Sequence, residues 1–169
     1  MRKTLIILLV IMNMHAMAQV TAYDVSKDKE NGDLVFNGPV TFGDLNKEVS
    51  FTWLQNGMDG YRPDAQAISF LKGRLKEYTL VVFLGTWCDD SHYLIPKLEK
   101  VLQQAGYPLN SVTMYGVDRE KTTKNGQHKK YNITLVPTII LFKDGREAGR
   151  ITETVMKSVE WDLTKIIGT

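Results

Sequence analysis

A strand-like run that leads directly into a helix-like run is the strongest constraint on the fold of this chain. Residues 78–84 form a continuous β-branched and aromatic stretch, which is typical of a strand buried on both faces of a partly parallel sheet. A glycine and a threonine end that stretch. From Ser91 onward, apolar residues recur at helical spacing until Gly106, a natural C-terminal stop. Cys88 is therefore predicted to lie where a helix begins.

Other runs predict that helices and strands alternate around this unit. An Asp-Gly pair at residues 144–145 predicts a hairpin between the last two strands. The predicted elements are helices at 63–75, 121–131 and 154–167, and strands at 111–117, 138–142 and 147–151. This order indicates the α/β fold class, with a mixed central sheet covered by helices on both faces.

Residues 1–18 are predicted to be a signal peptide. Arg2 and Lys3 precede an apolar run at residues 5–12, and Ala16-Met17-Ala18 matches a signal-peptidase site, so cleavage is expected after Ala18. The apolar run is too short for a comfortable membrane span, and no cysteine follows it for lipid attachment, so no stable membrane anchor is expected. The mature protein is expected to be exported, either periplasmic or secreted.

The charge balance argues against nucleic-acid binding. The chain has 21 basic and 19 acidic residues, and the predicted signal peptide carries Arg2, Lys3 and no acid, so 19 of each remain after cleavage. No dense basic stretch interleaved with aromatic residues is present in the sequence, and phosphate neutralisation drives binding to nucleic acids. No nucleic-acid partner is expected.

The chain contains one cysteine, Cys88, within the run Trp-Cys-Asp-Asp-Ser at residues 87–91. Serine stands where a second thiol would complete a Cys-x-x-Cys pair. A dithiol releases its substrate by closing its own disulfide, whereas a single thiol forms a mixed disulfide that another thiol must resolve. In an oxidising compartment a free thiol is either buried and inert or kept for reaction. The start of a helix favours the reactive thiolate.

Two motifs at compatible spacing make residues 64–168 resemble the thioredoxin family. Residues 81–88 are similar to the family's strand and Trp-Cys turn, and Pro96 follows as at its helix-kinking proline. Residues 136–145 are similar to its cis-proline loop, strand and hairpin. The resemblance implies a three-layer thioredoxin-like fold with a short N-terminal extension. It also implies a cis bond at Pro137.

The resemblance assigns roles to several residues. Cys88 is the expected nucleophile, Trp87 is expected to cover one side of the thiol or to be a core aromatic, and Ser91 is expected to donate to the thiolate or to serve as an ordinary first-turn serine. The backbone around Val136, Pro137 and Thr138 is expected to bind an extended substrate segment beside the sulfur.

Three neighbours of the thiol are expected to tune the site. Asp89 and Asp90 stabilise the helix N-terminus, but their carboxylates disfavour negative charge on the sulfur of Cys88. His92 is predicted to be an exposed side chain that tunes the local field. Cys88 and His92 alone are too few ligands for a metal, so no metal and no cofactor are expected.

Two further positions depart from the thioredoxin pattern. Thioredoxins carry a buried aspartate six residues before the first cysteine, paired with a lysine on the next strand, and both assist proton transfer at the resolving thiol. Val82 and Met114 occupy those places here. With Ser91, these changes form one consistent set, in which the resolving step and its proton machinery are both absent.

The predicted domain organisation has three parts: a signal peptide at 1–18, an N-terminal extension at 19–62 and a thioredoxin-like domain at 63–169. In the extension, short strands are predicted at 33–36, 40–42 and 49–53, with a turn at Asn31-Gly32. Trp53, Tyr61 and Pro63 are expected to pack as a lid on the domain edge.

Three functions remain open from the sequence. The first is thiol-disulfide exchange by Cys88, of isomerase or mixed-disulfide type, with a disulfide- or thiol-bearing protein or a small thiol as partner. The second is a non-catalytic binding module that keeps the groove near Pro137. The third is a structural protein in which Cys88 forms an intermolecular disulfide, such as a disulfide-linked homodimer.

Overall fold

The structure, a computed structural model, describes residues 22–168. The predicted signal peptide at 1–18 lies outside the described residues. In the described range, no helix is both long enough and apolar enough to cross a bilayer.

A mixed sheet forms the centre of the molecule. In the described part of the chain, its six strands are β1 (Asp24–Lys27), β2 (Leu34–Val40), β3 (Thr79–Leu84), β4 (Thr113–Gly116), β5 (Thr138–Lys143) and β6 (Arg146–Thr152). Their order across the sheet is β1-β2-β4-β3-β5-β6. Strand β3 is parallel to β4 and antiparallel to β5, so the apolar run that predicted a buried strand lies in the middle of the sheet.

Helices and loops cover both faces of the sheet. The helices in the described residues are α1 (Phe42–Lys47), α2 (Thr52–Gly60), α3 (Ala65–Leu71), α4 (Asp89–Ala105), α5 (Gln127–Lys130) and α6 (Val159–Ile167). Successive residues of a strand point to opposite faces. Val82 accordingly belongs to the larger apolar cluster, with residues of α4 and α6, whereas Val81 and Phe83 belong to a smaller cluster with Val136. The predicted α/β fold class is confirmed.

The N-terminal segment is part of the same sheet. Strand β2 pairs antiparallel with both β1 and β4, and residues 28–33 connect β1 to β2. The expected strands at 40–42 and 49–53 were largely wrong, because α1 begins at Phe42 and α2 at Thr52. The buried residues Phe51, Leu54 and Met58 are three and four positions apart, which is a helical spacing.

The predicted polar helix at 121–131 is also mostly wrong. Only α5 is helical there, because Lys121 and Gly126 have φ values of 59° and 75°, which interrupt a right-handed helix. The Asp118 carboxylate accepts a hydrogen bond from the backbone N–H of Thr122 at 2.7 Å and holds this segment as a loop. Lys121 of this loop lies near the start of α4, with its Nζ 5.5 Å from the ring centre of Trp87.

The two amphipathic helices are shorter than predicted. Helix α3 begins after Asp64, whose carboxylate caps two backbone N–H groups, and it ends before Gly73, which has a φ of 79°. Helix α6 begins at Val159 rather than at residue 154, because Asp162 accepts hydrogen bonds from the backbone of Met156 and the next residue. From α3 to α6, the order of the elements is as predicted.

Candidate functional site

Cys88 lies between the end of β3 and the start of α4. It is the N-cap residue of α4, with extended φ and ψ values of −103° and 123°. Its backbone N–H donates to Gly85 O at 3.0 Å, and its carbonyl accepts from His92 N at 2.9 Å. The side chain is half-buried and therefore still accessible. The helix dipole at this position favours a negative charge on the sulfur.

The loop before β5 lies directly against the thiol. The Val136–Pro137 peptide bond is cis, as the resemblance predicted. Cys88 Sγ donates to Val136 O at 3.4 Å, although the two residues are 48 positions apart in the sequence. Thr138 Oγ1 donates to Leu135 O at 2.8 Å and fixes the turn. The structure thus brings the predicted nucleophile and the predicted substrate-binding segment together.

Trp87 is buried beside the thiol and held at both edges. Its Nε1–H donates to Val117 O at 2.9 Å, and its ring packs in the smaller apolar cluster, against which Cys88 also packs. A Cβ atom on Gly85 would lie 2.7 Å from the indole ring, so the glycine leaves the space that the ring needs. Trp87 is therefore a core aromatic, in the cluster against which Cys88 packs.

Ser91 occupies the position of the missing second thiol and is fully buried. Its hydroxyl oxygen accepts a hydrogen bond from Gly85 N–H at 3.1 Å, which ties the first turn of α4 to the end of β3. A hydroxyl that accepts this bond keeps its own proton for donation.

Val82 and Met114 are directly paired in the parallel ladder of β3 and β4. Both side chains are buried, 0% and 2% exposed, within the larger apolar cluster. These are the two positions at which the thioredoxin pattern has an aspartate and a lysine, and the pairing of Val82 with Met114 shows that they are adjacent in space. Both residues are apolar in this chain.

His92 is placed differently from the prediction of an exposed side chain. Its ring stacks on Trp53 of α2, with centroids 4.5 Å apart, and one ring nitrogen, Nε2, lies 2.8 Å from Thr86 O. Because a carbonyl only accepts, Nε2 is the protonated nitrogen. The other ring nitrogen, Nδ1, lies 3.9 Å from Asp89 Oδ1. Asp89 and its neighbour Asp90 are exposed on the first turn of α4.

Strand β2 fixes the turn that carries the cysteine, a feature that sequence reasoning missed. Thr86 Oγ1 donates to Leu34 O at 2.6 Å and accepts from Phe36 N–H at 3.1 Å. The Thr86 hydroxyl thus bonds to the β2 backbone as a neighbouring strand would. The N-terminal segment therefore makes two contacts near the cysteine: β2 bonds to Thr86, and Trp53 of α2 stacks on His92.

A second missed feature is a cation beside Trp87. The guanidinium carbon of Arg119 lies 4.8 Å from the centre of the Trp87 ring, and Lys121 Nζ lies 5.5 Å from it. Two carboxylates hold the guanidinium, those of Asp28 and Glu30. The sequence carried no signal for this contact, because Asp28 and Arg119 are 91 positions apart.

The described residues contain no group of three or more His, Cys, Asp and Glu side chains that could hold a metal ion. A cavity of about 370 Å³ lies on the Thr86 and His92 side of the turn, with aromatic walls from Phe51 and Trp53.

Comparisons with known proteins agree with this geometry. The family model of Thioredoxin matches residues 69–165. The chain is 34% identical over 71 residues to the chloroplastic thioredoxin Y of Oryza sativa subsp. japonica, which is 42% of this chain and 39% of that protein. It is 34% identical over 71 residues to thioredoxin of Chlamydia trachomatis, which is 42% of this chain and 64% of that protein. The match spans less than two thirds of each relative.

Among solved structures, the chain is similar to the crystal structure of an HIV epitope scaffold. The TM-score is 0.52 at 11% sequence identity, over 77% of this chain and 83% of that one. At this identity the likeness concerns the fold alone.

Proposed function

The chain belongs to the thioredoxin family, and we propose on that basis that it exchanges thiols and disulfides through Cys88 as its single nucleophile. The observation that carries the proposal is the position of this sulfur. It is accessible at the N-terminus of α4 and lies 3.4 Å from the carbonyl oxygen of Val136, next to the cis-proline. An unreactive structural cysteine has no need of either feature.

The proposed reaction has two steps. The Cys88 thiolate attacks one sulfur of a substrate disulfide, forms a mixed disulfide and expels the other substrate sulfur as a thiolate, which takes a proton from water. A second thiol, from the substrate or from a small molecule, then attacks the mixed disulfide and expels Cys88 as thiolate. If both thiols belong to one substrate the result is isomerisation. If the second thiol is external, its sulfur stays joined to one substrate sulfur while the other is already free as a thiol. Another external thiol then breaks this disulfide, which leaves the substrate reduced and the two external thiols oxidised to a disulfide.

The surroundings of Cys88 support a single-thiol mechanism. Ser91 stands at the place of a resolving thiol and uses its oxygen to accept the Gly85 N–H. The apolar pair Val82 and Met114 offers no proton carrier beneath the site. A protein that relies on an external resolving thiol needs neither a second cysteine nor such a carrier.

The neighbouring residues suit the binding and tuning roles that we propose for them. The backbone of Val136 to Thr138 borders the sulfur and would pair with an extended substrate segment. Asp89 and Asp90 would moderate the negative charge on the sulfur, and His92 would fix the turn through Thr86 O. We further propose that the protein works after export, where substrate disulfides are present.

The persistence of the mixed disulfide tests the proposal. The protein is incubated with an excess of a disulfide between two single-cysteine peptides, so that the adduct carries no further substrate thiol. The adducts are read on non-reducing gels and by mass spectrometry. A peptide adduct on Cys88 is expected to accumulate, because no internal thiol resolves it, and added glutathione is expected to release it. The absence of any adduct would contradict exchange activity.

Two variants sharpen this test. Cys88→Ser should form no adduct. Ser91→Cys places a second thiol three residues along the same helix, so the adduct should become short-lived and the peptide should be released reduced. An adduct that is equally stable in Ser91→Cys would contradict the role given to the serine position. If Cys88→Ser loses only a disulfide-linked dimer, the structural role of Cys88 is favoured instead.

A further inference from the structure

We propose that Arg119 is a positioning residue for the site, held by the N-terminal hairpin against Trp87 so that its positive charge favours the Cys88 thiolate. The proposal rests on the proposed function in that Cys88 is taken as the reacting group. It assigns a role in the chemistry to residues 24–40, which lie outside the stretch matched by the family model.

The carboxylate of Asp28 is a rigid anchor for the guanidinium. Its side chain is 3% exposed, and its two oxygens accept from Arg119 Nε at 2.7 Å and from Nη2 at 2.9 Å. The same carboxylate also accepts two backbone N–H bonds, from Glu30 at 2.9 Å and from Asn31 at 3.0 Å. These bonds hold the pKa of Asp28 well below its usual range, with Arg119 as the main cause. A bidentate pair of this kind fixes both direction and distance.

The anchored guanidinium reaches the site through Trp87. Its central carbon lies 4.8 Å from the ring centre, which is within the range of a cation–π contact. Trp87 is itself fixed by its bond to Val117 O and packs in the same apolar cluster as Cys88. The pKa of Arg119 is raised, mainly by its hydrogen bond with Asp28, with smaller contributions from the charges of Glu30 and Cys88. Arg119 therefore lies against the residue that directly precedes Cys88 and belongs to the cluster on which Cys88 packs.

The charges around the thiol explain why a cation matters here. Asp89 and Asp90, one and two residues after the cysteine, oppose the thiolate, and His92 lies on the opposite side of the turn against Trp53. Carboxylates bound to the guanidinium compensate part of its charge, so a modest effect is expected. Lys121 adds a second cation 5.5 Å from the Trp87 ring.

The pH–rate profile for alkylation of Cys88 by iodoacetamide tests the proposal. Iodoacetamide is neutral, so the rate reports the thiolate and not steering of the reagent. Arg119→Gln, which can still donate to Asp28, is expected to lower the rate at pH 7 by roughly threefold to tenfold and to move the profile to higher pH. Arg119→Lys keeps a charge without the bidentate fork, so it should give a smaller shift in the same direction. High salt should reduce the difference in alkylation rate between wild type and each variant, because ions in solution screen the charge of Arg119.

Arg150, in β6, offers a matched control. Its guanidinium forms a bidentate pair with Glu147, at 2.6 Å for each bond, and its side chain is 30% exposed, close to the 32% of Arg119. Arg150→Gln should leave the alkylation profile unchanged. Asp89, Asp90 and His92 are present in every variant, so their effects cancel in the comparison.

A profile for Arg119→Gln that equals that of wild type would overturn the proposal, and so would an equal shift in Arg150→Gln. If circular dichroism shows that Arg119→Gln is unfolded, Arg119→Met decides, because methionine keeps an apolar side chain of similar length and removes the charge. An unshifted profile in that variant overturns the proposal. Failure of the proposed function gives a different result, because the wild type would then form no adduct with a disulfide peptide while the alkylation profiles stay informative.

Discussion

Gly85 determines where the Trp87 ring can lie. An added Cβ would be 2.7 Å from ring atom Cε2, and an indole ring cannot bend away as a flexible chain does. Gly85→Ala should displace the ring, break the Nε1 bond to Val117 O and destabilise the fold by about 1–3 kcal/mol. Urea unfolding measures the loss, and the indole N–H signal of Trp87 in a ¹H–¹⁵N spectrum reports the displacement. An unmoved signal with unchanged stability would contradict this assignment.

Single residues of the site differ in how far sequence predicts them. Cys88 and Pro137 carry strong local motifs, and their predicted proximity is confirmed by the 3.4 Å contact with Val136 O. The exposure expected for His92 was wrong, because Trp53 stacks on it from a helix that the sequence analysis assigned to strand structure. The sequence did not indicate a role for Arg119, because its ion-pair partner Asp28 is 91 positions away and the two residues meet only in the folded sheet.

Helices α2 and α4 pack closely where Gly57 faces Pro96. A Cβ on Gly57 would lie 2.5 Å from Pro96 Cγ, and the rigid proline ring cannot yield. Gly57→Ala should therefore destabilise the protein by about 1–3 kcal/mol, even though alanine is the better helix former. Thermal unfolding followed by circular dichroism measures the change.

Gly60 is the matched control on the same helix. Nothing lies within 4 Å of a Cβ added there, and its φ is not in the left-handed region. Gly60→Ala should be neutral or should stabilise the protein by up to ~1 kcal/mol through helix propensity. Equal effects of the two substitutions would show that propensity, and not the contact with Pro96, governs this helix pair.

Helix α4 also carries a buried carboxyl group, that of Glu99, which is 3% exposed. Burial raises its pKa, although hydrogen bonds from Asn46 and Gln103 oppose the effect. Because the folded pKa lies above the unfolded one, the protein loses stability as the pH rises through the folded value. Glu99→Gln cannot ionise, so its stability relative to wild type should improve between about pH 4 and neutral pH. Urea unfolding at several pH values checks this.

Glu147 should show the opposite sign. Hydrogen bonds from Arg150 lower its pKa, so the pair stabilises the folded state above the unfolded pKa and loses this contribution as the pH falls. Glu147→Gln should therefore be less stable than wild type at neutral pH, by up to about 1 kcal/mol for a half-exposed pair, and equal to it in acid. For Glu99, a stability difference between Glu99→Gln and wild type that does not vary with pH would contradict the raised pKa of that carboxyl group.

Elements with strong periodicity were predictable, and elements defined by local turns were not. The apolar run of β3 and the spacing along α4 placed both correctly, because β3 is buried from Leu80 to Leu84 and α4 buries residues at helical spacing. The helix expected at 121–131 was wrong because left-handed residues and the Asp118 carboxylate stabilise a loop. Helix α2 did carry a signal, in the spacing of its buried residues, but its short length made strand and helix hard to distinguish.

At the scale of the whole molecule, β2 makes the N-terminal segment an interior part of the sheet. It lies between β1 and β4, and its backbone passes so close to β4 that a Cβ on Gly116 would be 1.9 Å from Phe36 O. Sequence predicted the class of the fold but not this pairing, since no local pattern states which strand a short apolar run will join. The predicted boundary near residue 62 therefore needs a direct test.

Removal of residues before Pro63 should abolish cooperative folding. The lost segment contributes five large side chains to the main apolar cluster, each at most 6% exposed: Phe36, Phe42, Leu45, Phe51 and Leu54. At roughly 1.5–3 kcal/mol each, their burial is comparable to the whole free energy of unfolding of a typical domain, about 5–15 kcal/mol.

The truncation would also leave the edge of β4 unpaired and the turn at Thr86 without its partners on β2. A chain that begins at residue 19 is the control and should unfold in one sharp thermal transition, whereas a chain that begins at Pro63 should show none by circular dichroism and should aggregate. If the shorter chain unfolds with the same midpoint, residues 63–169 fold alone, and the hairpin that carries Asp28 serves the site without supporting the fold.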